Sequence, residues 1–245
     1  MEWGQAKRSG PIFIGMSDDT ERQLHRHGPG ELRSFGRRTG RTHSPRQDAL
    51  LTGLLPQVAV DLTRPFVPLG PETWLEIGFG GGEHLIWQAR NNPTVQMIGC
   101  EPFEDGVIKV LRAIDEDRLA NIRLHADDAR PLLRWLPDAS IARVFVLFPD
   151  PWPKKKQRKR RLINAAFLAE LARIMKPGAE LRIGTDIADY ARAIMIGFQA
   201  EPRFAWQAEG PADWRVRPDD WPETRYEQKA KREGRVSAYL RFRRS

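Results

Sequence analysis

The sequence predicts an α/β fold in which a mostly parallel sheet carries helices on both faces, and three observations support that reading. Five apolar runs, at residues 73–78, 95–100, 122–126, 141–148 and 180–184, read as buried strands. Stretches of helical apolar periodicity alternate with most of them, so right-handed crossovers joining parallel strands are the economical connection. Several of these runs end in glycine or an acid, which gathers reactive groups along the carboxyl ends of the strands, where a doubly wound sheet binds its ligand.

Length and composition bound the rest. At 245 residues and 40% hydrophobic the chain suits one sizeable domain, residues 46–245, preceded by a flexible basic N-terminal arm, residues 1–45. Forty Lys and Arg against 32 acids give a formal net charge of +8, which favours an anionic partner through counterion release. The single cysteine, Cys100, excludes an internal disulfide and a thiolate metal cluster, so no metal is expected and a reducing cytoplasm fits. No apolar run approaches the roughly 20 residues that cross a bilayer, and no signal-peptide succession opens the chain. A soluble cytoplasmic protein with no membrane partner is expected.

The arm carries Gly, Arg, His and Ser without apolar periodicity. It is either a solvated tail or a segment that orders on nucleic acid through Arg33, Arg37, Arg38 and Arg41. From 47 to 65, Leu50, Leu51, Leu54, Leu55 and Val58 recur near helical spacing and predict a short helix punctuated by proline. Run 73–78 is the first strand. It leads through Phe79-Gly-Gly-Gly-Glu-His84 into a helix over Leu85, Ile86, Ala89 and Arg90. Glycines at Gly78 and Gly80 let backbone approach a ligand at a helix N-terminus. The spelling lacks the G-x-G-x-x-G of a dinucleotide site, and Glu76 puts a negative charge where a phosphate would sit. That charge suits a cation such as the amino or sulfonium group of S-adenosylmethionine.

The second strand ends at Glu101, placed to grip ribose hydroxyls with two oxygens. A helix over Val107, Ile108, Val110, Leu111 and Ile114 follows. The third strand leads to Asp127-Asp128, either of which has the chemistry to accept from an adenine amine, Asp128 being the choice here. The fourth strand runs into Pro149-Asp-Pro-Trp-Pro153, a loop stiffened by three prolines that presents Asp150 at the crevice. Seven of the eight residues from Lys154 to Arg161 are Lys or Arg. They are expected to begin a helix that continues amphipathically through Leu162, Ile163, Phe167, Leu171 and Ile174 until Lys176-Pro-Gly178 stops it, and their attachment to the acid loop points to nucleic acid. The fifth strand ends at Thr185-Asp186, a second acid at the same rim. A helix over Tyr190, Ala193, Ile194 and Ile196, a strand near 204–207, and a closing strand at 236–242 complete the prediction. Trp214 and Trp221 between them read as packing residues rather than base-stacking platforms. No internal repeat is present.

Taken together, Leu75-Glu-Ile-Gly-Phe-Gly-Gly-Gly82, Gly99-Cys-Glu-Pro102, Phe148-Pro-Asp-Pro-Trp-Pro-Lys154, Lys159-Arg-Arg161, Gly184-Thr-Asp186 and Thr224-Arg-Tyr-Glu227 resemble the tRNA (guanine-N7-)-methyltransferase family over roughly residues 33–243. The proline-framed acid and the late Thr-x-Tyr-Glu are the most specific parts. The resemblance implies a Rossmann-like class I methyltransferase fold with a seven-stranded sheet, acting on the variable-loop guanine (position 46) of tRNA. It implies cofactor contacts at Glu76, Gly78, Gly80, Glu101, Asp128 and Asp150, with Asp150 also catalytic. It places Lys154, Asp186, Thr224, Arg225, Tyr226 and Glu227 at the substrate, and Lys156, Gln157, Arg158, Lys159, Arg160 and Arg161 on RNA. The tandem Asp127-Asp128 departs from a pattern that often has one polar residue before the acid. A monomer or homodimer is expected.

Guanine N7 carries a free lone pair, so its methylation needs no prior proton removal. A fixed carboxylate that orients the ring and favours its developing positive charge is sufficient. The proline-framed loop also partly resembles the Asp-Pro-Pro-Trp loop of exocyclic-amine methyltransferases, whose nucleophile must lose a proton; the basic segment and Thr-x-Tyr-Glu favour N7. The competing classes are a methyltransferase acting on DNA, rRNA or protein, a nicotinamide oxidoreductase, and a non-catalytic RNA-binding module.

Overall fold

The computed structural model describes residues 38, 40 and 42–245. Arg33, Arg37, Arg41 and most of the arm lie outside the described residues. Where the description begins, the chain is docked: Arg38 O accepts from Glu104 N at 2.9 Å and its guanidinium reaches Asp127 Oδ1 at 2.6 Å.

Ser44 starts helix α1 (Pro45–Ala49) with a capping box, its hydroxyl accepting from Gln47 N while Gln47 Oε1 accepts from Ser44 N; such a cap contributes about 1 kcal/mol. The helix widens into a π-helical turn, Leu50–Leu54, and resumes as α2 (Leu55–Val58). Pro56 is the physical reason: it offers no N–H and would crowd the carbonyl four residues back, so the preceding turn opens and Leu55 N reaches Leu50 O. The predicted helix therefore ends at Val58, short of residue 65. Ala59 then bridges to Leu124.

The remaining elements in order are β1 (Glu72–Ile77), α3 (Glu83–Asn91), β2 (Val95–Cys100), α4 (Glu104–Asp117), β3 (Ile122–His125), α5 (Ala129–Trp135), β4 (Ile141–Leu147), a tight 3₁₀ turn (Lys155–Arg160), α6 (Ala165–Ile174), β5 (Met175–Thr185), α7 (Ala188–Gln199), β6 (Phe204–Trp206), α8 (Ala212–Arg215), α9 (Arg225–Arg232) and β7 (Ala238–Arg244). The seven strands lie in the order β3-β2-β1-β4-β5-β7-β6. β1 to β5 are parallel, and β7 runs antiparallel against both β5 and β6. This is the mostly parallel sheet the sequence predicts. Side-chain alternation sends Leu75, Ile77, Val144, Val146, Leu181 and Ile183 to a core shared with α5, α6 and α7, and Trp74, Met97, Phe145 and Leu147 to a second core shared with α3 and α4. Each fully buried side chain of this kind contributes about 1.5–3 kcal/mol.

Two expectations are corrected. The basic run does not begin a long helix: Lys155–Arg160 forms a separate 3₁₀ turn and α6 starts only at Ala165, capped by Asn164 Oδ1 accepting from Phe167 N. Like charges three and four residues apart destabilise a continuous α-helix, whereas a short turn lets the side chains splay. Lys176-Pro-Gly178 is not a helix stop either. α6 ends at Ile174, and the tripeptide lies inside β5, where pairing with β4 shifts register between Ile141 and Arg143 and Gly178 takes φ +80°. Helices α5, α8 and α9 were not anticipated. Among the described residues no helix is long and apolar enough to cross a membrane.

Candidate functional site

Sheet order reverses between β1 and β4, so the crevice opens at the carboxyl ends of those strands and their neighbours. Backbone bonds continue the ladders past the strand ends: Gly78 N to Cys100 O at 2.8 Å, Glu101 N to His125 O at 3.1 Å and Phe148 N to Gly184 O at 2.7 Å. The strand ends are thereby joined into one rim.

The glycine turn is shaped by backbone conformations that side chains disfavour, with Gly78 at φ +74°, Gly80 at +55° and Gly82 at +79°. Around Gly80 there is also no room. An added Cβ would lie 2.8 Å from the Tyr226 ring, and a Cβ on Gly106 of α4 would lie 2.0 Å from Gly80 O. Gly106→Ala is expected to force the turn away from α4, with an overpacking cost of about 1–3 kcal/mol. A thermal melt unchanged from wild type would show that the two elements are not wedged together.

Glu101 holds the turn from the other side. Its Oε2 accepts from Gly80 N at 2.8 Å and its Oε1 from Phe103 N at 2.9 Å. Burial raises its pKa, the nearby Asp150 charge adds to the rise, and the two backbone donors and Arg225 act against it. Glu76 lies buried on the second face of β1, its Oε2 2.7 Å from His84 Nδ1. Asp128 is also buried. It caps α5 by accepting from Arg130 N at 2.8 Å and pairs with the Arg130 guanidinium at 2.6 Å. Asp127 is more exposed and takes Arg38.

Asp150 stands at the end of β4 as an exposed residue in a concave rim. Among the described residues no hydrogen-bond or ion-pair partner meets its carboxylate. Surrounding protein nevertheless desolvates it and raises its pKa. The loop is kinked rather than extended: Phe148 at φ +52° and Trp152 at φ +41° occupy the left-handed region immediately before prolines, a conformation costing of order 1–3 kcal/mol each unless the surroundings impose it. Arg161 supplies part of that imposition. It donates from Nε to Pro151 O at 2.9 Å, pairs with Asp189 and lies 4.6 Å over the Tyr190 ring, whose phenol burial pushes up to about 12. At 6% exposure Arg161 is a strut of the loop, so the structure removes it from the outward-facing cations.

Lys154, Lys155, Lys156, Arg158 and Lys159 do face solvent, with Gln157 and Arg160 partly covered and Arg160 5.1 Å from the Trp152 ring. Between this turn and α7 lies an open cleft of about 440 Å³, lined among others by Arg158, Lys159, Asn164, Asp189, Arg192 and Ile196. Arg192 adds a cation from a second element that the linear sequence did not connect to the basic run.

The segment Thr224–Glu227 divides in two. Arg225 reaches Glu83 beside the glycine turn at 3.5 Å, and Tyr226 covers Gly80. Thr224 and Glu227 turn inward. Thr224 Oγ1 caps α9 by accepting from Glu227 N at 3.3 Å, and Glu227, with no exposed surface, accepts from Tyr239 Oη at 2.6 Å and pairs with Arg217 and Lys231. Its second oxygen, Oε2, is buried with no partner among the described residues. Asp186 accepts from Arg235 Nε at 2.6 Å, which ties the fifth strand end to the loop after α9. Trp221 is fully buried between His84 and Tyr239, with ring centroids 6.2 and 5.3 Å away, as the packing reading expected. Sequence reasoning missed His84, Gln88, Asp220 and Arg192. The i, i+4 spacing of His84 and Gln88 was the available signal for one helical face.

A family model described as "Putative methyltransferase" matches residues 71–240. The tRNA (guanine-N(7)-)-methyltransferase of Caulobacter sp. (strain K31) is 52% identical over 208 residues, covering 83% of this chain and 90% of the relative. The protein of the same name from Rhodospirillum rubrum is 46% identical over 229 residues, covering 87% and 88%. The solved 16S rRNA methyltransferase KamB superposes with a TM-score of 0.53 at 16% identity, over 72% of this chain and 89% of KamB, a likeness of fold alone.

Proposed function

The chain belongs to the tRNA (guanine-N(7)-)-methyltransferase family, and from that premise we propose that it transfers a methyl group from S-adenosylmethionine to N7 of the variable-loop guanine, position 46, of tRNA in the cytoplasm, as a monomer or homodimer. The observation that carries the reading is the unpartnered Asp150 at the rim shared with Glu101, with exposed lysines beginning four residues later.

The residues present fit the methyl donor. A left-handed glycine turn gives backbone access, buried Glu76 keeps Oε1 available for an ammonium group, and Glu101 and Asp128 stand at the next two strand ends. When bound, S-adenosylmethionine supplies an electrophilic methyl on a sulfonium whose departing bond electrons stay on sulfur. The chain's own groups orient and stabilise. Asp150 faces the guanine as its ring gains positive charge, and because the N7 lone pair is already free, no residue is required to take a proton before attack. Asp186, Arg225 and Tyr226 are the groups assigned to the base, whereas Glu227, fully buried, supports that segment from behind through Tyr239, Arg217 and Lys231. Lys154 and the exposed cations at 155–160 hold phosphates, and Arg192 extends that surface.

The reading is tested by incubating the protein with radiolabelled S-adenosylmethionine and tRNA lacking 7-methylguanosine, then mapping the label by cleavage at 7-methylguanosine. Label at position 46 is expected; label elsewhere in tRNA, or only on rRNA or protein, rejects it. For the RNA surface, replacing Lys155, Lys156 and Lys159 by Gln is expected to flatten the log–log salt dependence of tRNA binding by roughly 0.7–0.9 per charge removed. A slope equal to wild type places the tRNA on another face.

A further inference from the structure

A buried chain of polar groups runs behind the glycine turn, and its hydrogen-bond directions fix which ring nitrogen of His84 carries the proton beside Glu76. Gln88 supplies the key. Its amide nitrogen donates to Asp220 O at 2.8 Å, while its amide oxygen accepts from Asn92 Nδ2 at 3.2 Å. The nitrogen therefore also faces His84 Nε2, 3.1 Å away, and donates to it with its second hydrogen. A ring nitrogen that accepts carries no proton. The His84 proton must then lie on Nδ1, donated to Glu76 Oε2 at 2.7 Å. His84, Gln88 and Glu76 are all nearly inaccessible, at 1%, 1% and 2% exposure, and Phe145 and Trp221 pack on the imidazole at 4.5 and 6.2 Å, so water does not offer His84 other partners. Asp220, whose carbonyl anchors the chain, is held in turn by a two-pronged contact of its carboxylate with Arg182 at 2.8 Å.

We propose that His84 is a positioning residue: held neutral by the Gln88 amide, it orients Glu76 without cancelling its charge. The inference rests on the reading of Glu76 as the partner of the cofactor's ammonium group. A cationic imidazole in this place would form a closed ion pair with Glu76 and cancel the charge of that carboxylate behind the glycine turn. A neutral one pins Oε2 by a single hydrogen bond and leaves a full unit of negative charge, with Oε1 free for the cation. Because the chain ends on Asp220, next to Trp221 and just before Thr224–Glu227, it also fixes the glycine turn relative to the segment that carries Arg225 and Tyr226.

Two measurements test this. Nitrogen-15 NMR of the intact protein with labelled histidine resolves the ring nitrogens of the five histidines; the His84 signals are assigned by their loss in His84→Asn. A protonated Nδ1 beside an unprotonated Nε2 at neutral pH is expected, and the opposite tautomer or two protonated nitrogens overturns the proposal. In Gln88→Glu the new carboxylate calls a proton onto Nε2 and makes the imidazole cationic. S-adenosylmethionine binding by calorimetry is expected to weaken about 10- to 100-fold, the scale of one lost charged contact, whereas the uncharged Gln88→Met weakens it less. If the wild-type tautomer is as stated but folded Gln88→Glu binds like wild type, Glu76 is not the ammonium partner and the positioning role falls with that reading.

Discussion

Asp150→Ala is expected to lower methyl transfer to unmodified tRNA by about two to three orders of magnitude, the loss seen when one preorganised electrostatic group is removed from a reacting centre. The fold should be unaffected. Asp150 is exposed, and no described residue depends on its carboxylate, so neither a cavity nor an orphaned donor is left behind. Desolvation raises the Asp150 carboxyl from its ordinary value, and the same cause raises Glu101. Two consequences have definite signs. Activity that needs both carboxylates is lost as pH falls through those raised values, so the acid limb of the rate profile lies at higher pH than for solvated carboxylates. An acid whose folded-state pKa is raised opposes folding once ionised, and that opposition is relieved as pH falls through the folded value, so Asp150→Asn should slightly raise the melting temperature at neutral pH. Turnover of Asp150→Ala at the wild-type rate, with normal cofactor binding, would remove Asp150 from the site.

The second large effect is structural. Trp221→Ala is expected to cost about 3–5 kcal/mol, the range for removing a fully buried tryptophan, which for a chain of this size lowers the melting temperature by roughly 6–20 °C. The indole fills the space between His84 and Tyr239 and stands 3.1 Å from where a Cβ on Gly184 would lie, so its loss opens a cavity against the end of β5. Trp214, only partly buried and covered by the Arg215 guanidinium at 4.6 Å, is the control and should cost less. Equal melting temperatures for the two variants would contradict the assigned packing. Activity should fall further than stability alone dictates, because Trp221 immediately precedes the segment that delivers Tyr226 to Gly80.

Both expectations combine what is local in this chain with what is not. The sequence by itself determined the strands, the glycine turn, the acids at the strand ends and the proline-framed loop. Those features depend on apolar runs, on φ values open to glycine and on the fixed φ of proline, all of which act within a few residues. Tertiary structure decided which of several equivalent charges turn inward. Arg161 and Lys159 sit two residues apart in one basic run, yet Asp189, Tyr190 and Pro151 bury the first and leave the second in water. Thr224-Arg-Tyr-Glu227 reads as one motif, yet Tyr239, Arg217 and Lys231 claim Glu227 while Gly80 and Glu83 receive its neighbours. Glu76 was legible as an acid before a glycine turn, but its neutral imidazole partner depends on an amide whose own direction is set by a carbonyl 132 residues away. Burying a charge is costly unless a partner is brought to it. Which charges meet a partner is settled only when distant segments of the chain come together.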